Sequence, residues 1–345
     1  MYRHMLVPVD DTDLSIELIG NAVGLARTLG ARVTFFHAVA DEAASLGSDA
    51  EIMRATSPED FAYAFAGKAR EILAKAEAAA RAHGVPCDSV HAVEDRPASA
   101  IVAAARSHGC DLIVMASHGR RSRLGMALGS QTLAVLMNAG TPVLVASASE
   151  PSAPARAIGI IRDEHRSLAA VLHAWMHALA AARQADATPD LRVMRGIVHY
   201  VRSFPVALHH PKEEEHLFER LRSRTSAVNP ELEELERQHE RDRALVDELA
   251  GLVERLANPA DVLARRDAVA ALEAAVSHYA TFLWDHMGRE EGVILPAAQR
   301  HLRPEDWKAI DAAFAENGDP RFGGETDREY RHLFSRIVNL EEAKA

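Results

Sequence analysis

Two ten-residue segments of this 345-residue chain repeat one arrangement of metal-binding side chains. Residues 209–218 read His-His-Pro-Lys-Glu-Glu-Glu-His-Leu-Phe, and residues 286–295 read His-Met-Gly-Arg-Glu-Glu-Gly-Val-Ile-Leu. His, a basic residue, Glu-Glu and two apolar residues recur at the same offsets. This register sets His209 against His286 and Glu213 against Glu290, and leaves His210 opposite Met287, outside the pattern. A His and a Glu four apart on a helix share a face, so both can converge on one ion. A lone pair of this kind is explained equally well by a surface salt bridge; the repetition is what singles out these two. His165, in Asp-Glu-His-Arg, and His239, in Arg-Gln-His-Glu-Arg, are the natural candidates to complete the shell from two further helices. Four imidazoles with two carboxylates suit iron or zinc, and bridging carboxylates can hold two cations close together by offsetting their repulsion. Cys87 and Cys110 are the only cysteines, too few for a thiolate cage or a disulfide framework, which counts against structural zinc.

Those side chains need helices, and the second half of the chain supplies them. Of the 18 histidines, 12 lie after residue 160, where the strand signal disappears. Amphipathic stretches at 157–185, 190–223, 229–257 and 262–301 predict an up-and-down four-helix bundle. A fifth helix is expected near 305–316, a glycine-rich loop at Gly323-Gly324, and a last helix near 326–341, the tail 303–345 packing on the bundle as a cover. A ferritin-like arrangement needs Glu-x-x-His on two helices. Glu213-x2-His216 and Glu236-x2-His239 have that spacing, but on the second and third helices rather than the second and fourth. Histidines packed inside a metal-free bundle remain the bland alternative. His216 lies about 10 Å along the axis from His209 and cannot reach the same ion. His278 and Tyr279 could line an access path or bond a ligand's outer face, but ordinary core or surface roles are the stronger reading, and His173, His177 and His199 read as ordinary bundle residues.

The first half alternates differently. Strand-like runs at 3–9, 32–39, 87–93, 111–116 and 142–147 are separated by helical stretches, which predicts a doubly wound, mostly parallel five-stranded sheet. Residues 149–156, with two prolines among small polar residues, form a linker. The domains are therefore expected at 1–148 and 157–302, followed by the 303–345 extension. Between the fourth strand and the next helix runs Met-Ala-Ser-His-Gly-Arg-Arg-Ser-Arg-Leu-Gly-Met-Ala-Leu-Gly-Ser at 115–130. Glycines there let backbone N–H groups approach phosphates, and the helix N-terminus adds favourable partial charge. Arg120, Arg121 and Arg123 flank phosphates or simply charge a solvated loop.

Two family resemblances follow. Residues 1–148 resemble the universal stress protein family through Val7-Pro8-Val9-Asp10, Ser117-His118-Gly119 and Gly119-x9-Gly129-Ser130. The resemblance implies an ATP or other adenine nucleotide site, with Asp10 at the nucleoside and Gly119, Gly129 and Ser130 on the phosphates. It also implies a homodimer through the last strand, 141–146. The family pattern has one more glycine, where this chain has Ala116. Residues 157–300 resemble the hemerythrin and hemerythrin-like HHE family, whose ligands run His, His-x3-Glu, His, His-x3-Glu. Carried over by position, this implies a non-heme di-iron centre held by His165, His209, Glu213, His239, His286 and Glu290, with the two glutamates as bridges. Oxygen-carrying members have a second His one turn after the third-helix His; here that position is Arg243, which implies one imidazole fewer and an open position for water, peroxide or nitric oxide.

Together these readings predict a stress-response protein that senses or binds oxygen, peroxide or nitric oxide at iron. A di-iron enzyme removing peroxide or nitric oxide is the alternative, and iron or oxygen storage a further one. The net charge of -11 argues against a phosphate-backbone partner, so nucleic acid is not expected. No signal-peptide layout and no bilayer-length apolar run are present, and a cytoplasmic location away from membranes is expected.

Overall fold

The computed structural model of the protein describes residues 2–39, 58–94, 96–117, 121–122, 125–126, 128–147 and 156–315. Gly119, Arg120, Arg123, most of the expected linker, the loop at Gly323-Gly324 and the helix expected at 326–341 lie outside the described residues. The chain forms two compact units, Met1–Ala153 with Trp284–Pro296, and Pro154–Leu283 with Ala297–Ala345; one continuous helix carries the sequence through 284–296.

Five parallel strands make the sheet of the first half: β1 (His4–Pro8), β2 (Arg32–Val39), β3 (Cys87–Val93), β4 (Leu112–Ser117) and, after the two short strands described below, an edge strand at Val143–Ser147. Their order is β3-β2-β1-β4-edge strand, with Met5 paired to Val33 on one side and to Leu112 on the other. All six residues of β4 are buried, the near-continuous apolar run expected of a parallel strand covered on both faces. Helices α1 (Asp13–Leu29) and α2 (Pro58–Ala82) cover one face through Leu18, Val23, Leu73 and Ala76. Helices α3 (Pro97–Ser107) and α4 (Ser130–Asn138) cover the other through Ile101, Ala105 and Val135. Thr12 caps α1 by accepting the Ser15 N–H, and Gly30, at φ 62°, ends it in the left-handed conformation that only glycine adopts at little cost. Between β4 and α4 the two short strands β5 (Arg121–Ser122) and β6 (Gly125–Met126) pair antiparallel; the edge strand is β7.

Four long helices follow. The first, α5, spans Arg156–Gln184. The second, α6, begins at Leu191 behind the Asp190 cap and continues to Arg224, with wider π turns at Arg202–His209 and Glu213–Phe218. The third, α7, spans Asn229–Arg255 and carries Pro230 in its first turn, where a missing N–H costs nothing. The fourth, α8, runs from Val262 to Arg289, then through a π turn at Glu290–Ile294 to His301. A short α9, Pro304–Ala315, packs on α5, and the Ala157 N–H donates to Asp311 Oδ1 at 2.7 Å. The fold class is thus a doubly wound α/β sheet followed by a four-helix bundle, as the hydrophobic periods predict.

The π turns of α6 have a local cause. Pro205 and Pro211 lack the N–H that an α-helix needs, and the proline ring crowds the carbonyl four residues back. The helix widens instead, so the His210 N–H donates to the carbonyl of Pro205, five residues away. On α6 and α8 alike a π turn starts at the glutamate of the His-x3-Glu unit.

Candidate functional site

His165 on α5, His209 and Glu213 on α6, His239 on α7 and His286 and Glu290 on α8 are each at most 3% exposed. Their ligand atoms fall into two overlapping groups. His165, His209, Glu213 and Glu290 have donor atoms within 4.8 Å of one another, and so do Glu213, His239, His286 and Glu290. The two glutamates are common to both. Glu213 reaches both ways: Oε1 lies 3.2 Å from His209 Nε2 and Oε2 lies 3.6 Å from His239 Nε2. Glu290 Oε1 lies 3.3 Å from His286 Nε2. The structure therefore brings all six sequence-predicted positions together.

Carboxylates behind the rings orient them. His209 Nδ1 sits 2.6 Å from Glu164 Oε2, and His239 Nδ1 sits 2.6 Å from Glu214 Oε1, which turns each Nε2 toward the cluster. Burial pulls the His209 imidazole toward neutrality, but Glu213 and Glu164 more than reverse this, so its pKa stands well above the usual value. Burial raises Glu213, and His209, His239 and His165 outweigh it, leaving its carboxyl below the usual range. Without a metal, a proton on His209 thus balances Glu213, and a bound cation would displace that proton. His209 Nε2 and Glu213 Oε2 are buried and make no hydrogen bond, a costly arrangement that a cation would relieve. Nitrogen and oxygen donors without thiolate fit iron.

Sequence reasoning missed three kinds of residue here. Glu164 and Glu214 orient ligand rings; Glu164 sits beside His165 with no spacing signal of its own, whereas Glu214 is the second Glu of the repeated Glu-Glu. Asp242 is 1% exposed; burial pushes its carboxyl up to about 6, against the pull of Tyr279, His239 and Arg243. His210, set aside by the repeat, is 2% exposed and stacks on His239 with ring centres 4.1 Å apart. Other candidates go elsewhere. Glu236, needed by the ferritin-like spacing, is bound by Arg222 at 2.6 and 2.7 Å. His278 is exposed beside Arg241, whereas Tyr279 is fully buried and faces Asp242. Phe314 on α9 meets the His209 ring edge-on at 6.2 Å.

In the first domain Asp10, Gly129 and Ser130 lie along the carboxyl edge of the sheet, while Gly119 falls outside the described residues. Asp10 follows β1; its Oδ1 accepts from the Thr12 N–H at 3.0 Å and from the Thr12 hydroxyl at 2.5 Å. Gly129 caps α4, its N–H donating to Ser117 Oγ at 3.3 Å, and Ser130 is exposed at the first helical position. The chain runs from β1 to β2 on one side, while β4 pairs with β1 on the other. Asp10 and Gly129 therefore flank the point where strand order reverses, the usual ligand crevice of such sheets.

Comparison with known proteins agrees with both halves. The universal stress protein family model matches residues 1–147, and the hemerythrin HHE cation-binding domain model matches residues 156–298. Universal stress protein MJ0531 of Methanocaldococcus jannaschii is 31% identical over 145 residues, covering 42% of this chain and 82% of the relative. Universal stress protein YxiE of Bacillus subtilis is 29% identical over 149 residues, covering 42% of this chain and 99% of the relative. A universal stress protein from Archaeoglobus fulgidus, solved with dAMP, is 23% identical with a TM-score of 0.29 over 42% of this chain and 97% of that one. The chain belongs to the universal stress protein family, and it joins that domain to a hemerythrin HHE cation-binding domain.

Proposed function

We propose that the helical domain holds two iron ions and that the protein is a stress-response sensor or binder of oxygen, peroxide or nitric oxide. The observation that carries this reading is the pair of overlapping, buried ligand groups sharing Glu213 and Glu290. Either group alone would suit a single cation; two groups with two common carboxylates suit a pair. When bound, iron supplies an electron-rich, Lewis-acidic centre for a small oxidant or diatomic ligand. The protein's own part is positional. Glu164 and Glu214 hold the His209 and His239 rings, Phe218 stacks on His239, and Phe314 closes over His209. Such tight apolar walls admit a diatomic or peroxide far more readily than an organic substrate. Anaerobic loading with ferrous iron, metal analysis, and spectra before and after oxygen, peroxide or nitric oxide test the reading. A single reversible spectral change per ligand is expected. Turnover of many equivalents of peroxide would instead establish an enzyme, and a wild-type chain that takes up no iron would end the proposal.

For the first domain the position of Asp10, Gly129 and Ser130 at the strand-order reversal supports an adenine nucleotide, ATP among them, with Ser130 and the α4 N-terminus toward the phosphates. The edge position of β7 and the exposure of Leu144 on it, with Leu133 and Met137 on α4, support a homodimer through this strand. Among the described residues no helix is long and apolar enough to cross a membrane.

A further inference from the structure

Trp284–Pro296, the stretch of α8 that carries His286 and Glu290, belongs to the same compact unit as the sheet. There its π turn packs on α1 and α2. The backbones come close because side chains are missing. A Cβ on Gly288 would strike the Lys75 carbonyl and Cα, and one on Gly292 would strike Ala79. Ion pairs bracket this contact. Just before His286, Asp285 binds Arg81 of α2 at 2.7 Å, and just after Glu290, Glu291 Oε1 lies 3.6 Å from Lys75 Nζ. Arg81 is exposed, so water competes for its pair. The Lys75 and Glu291 side chains are only 13% and 5% exposed. Lys75 also lies 3.3 Å from the buried Glu71. One cation thus serves two buried carboxylates, and its removal would leave both uncompensated. Burial favours the neutral amine, but Glu291 and Glu71 outweigh it and hold Lys75 charged. In the repeat, Glu291 stands where Glu214 does. Glu214 holds the His239 ring, whereas Glu291 reaches Lys75.

We propose that Lys75, in the first domain, is a positioning residue for the iron site: through Glu291 it fixes the turn that carries His286 and Glu290, so the first domain sets how tightly iron is held. This rests on the two-iron reading above. A ligand one residue from a fixed carboxylate on the same turn has little freedom to follow that carboxylate if it moves. The link runs both ways, because iron that orders Glu290 also favours the Lys75–Glu291 pair and with it the present position of α2. A more open pair lies further out: Lys68 joins Glu71 at 3.2 Å to Asp11 at 3.5 Å, where water screens it. The buried Lys75 therefore carries the effect, and Lys68 serves as its control.

The test uses the full chain, loaded anaerobically with ferrous iron, with iron affinity, Mössbauer spectra and melting temperature as readouts. Lys75→Met should weaken iron binding roughly 3- to 30-fold and change the spectrum of the iron that still binds. A mere loss of stability would lower the melting temperature and leave that spectrum alone. Glu291→Gln is nearly isosteric and should do the same; it decides the matter where Lys75→Met does not fold. The double variant should bind no more weakly than the worse single one, because the pair can be broken only once. Lys68→Met, which breaks the pairs with Glu71 and Asp11 and spares Lys75–Glu291, should match wild type in affinity and spectrum. The proposal fails if Lys75→Met and Glu291→Gln fold and match wild type, if their effects simply add, or if Lys68→Met weakens iron binding as much as Lys75→Met. In each of those cases wild type still holds two ions and the two-iron reading stands. A wild-type chain that binds no iron ends that reading, and the role of Lys75 with it.

Discussion

The two candidate ligand sites of this chain are built on opposite principles. The bundle site is made of side chains fixed on four long helices, at most 3% exposed and oriented by buried carboxylates. The sheet-edge site is made of loop and cap positions, half-buried Asp10 and Gly129 and exposed Ser130, where backbone N–H groups matter as much as side chains. A buried constellation of ionisable groups is costly without its ligand, so its presence argues strongly for one. A loop edge costs little to keep empty, so it argues more weakly. The comparison teaches that binding should be tightly tied to stability in the bundle and loosely tied to it at the sheet.

The sharpest break of that contrast lies in the shared carboxylates. His209→Ala or Glu290→Ala should abolish the binding of iron while leaving far-ultraviolet circular dichroism unchanged; full iron retention in both would remove the ligand assignment. Iron itself should be a large stabiliser. At free ferrous iron about 1,000-fold above its dissociation constant, calorimetry should find the loaded protein about 4 kcal/mol more stable than the chelated one, and equal melting would deny the coupling. Glu164→Gln and Glu214→Gln, which touch only the back of a ligand ring, should weaken iron binding by about 10- to 100-fold in titration. At the sheet edge, Gly129→Trp should reduce ATP binding at least about tenfold with little change in melting; equal binding by both proteins would remove the phosphate role of this turn.

The smallest effect concerns the cover over the bundle site. Arg224 holds Asp306 at 2.8 and 2.9 Å and depresses its carboxyl below the usual range, helped by the Arg303 N–H. A depressed folded value means that the stabilisation is complete above the unfolded value near 4 and is lost as pH falls through the folded one. Asp306→Asn should lower the melting temperature slightly at pH 7 and progressively less in acid. A difference independent of pH would show that the carboxylate charge is not what secures α9.

Much of the bundle site was legible because helical period converts directly into a shared face. His-x3-Glu at 209–213 and 286–290 needed only 3.6 residues per turn, and the ordered single histidines at 165 and 239 completed it. The same logic says nothing of what surrounds His210. Alignment of the repeat put it opposite Met287, which is a buried apolar residue, and in the structure His210 is likewise buried, stacked on the His239 ring. The ferritin-like spacing at Glu236 and His239 was equally regular, and only the approach of Arg222 shows Glu236 to be engaged elsewhere. At the sheet edge the strand and helix periods were plain, but the ligand crevice depends on strand order, which no local pattern contains.

By itself the sequence determined the two architectures and pointed to six candidate donors, since hydrophobic period and residue spacing act locally along one helix or strand. Only the tertiary structure decided which carboxylates stand behind which rings, and that Glu213 faces His209 with one oxygen and His239 with the other. Those contacts cross between helices, and their distances follow from packing and from the π turns, which set where each side chain ends rather than where it begins.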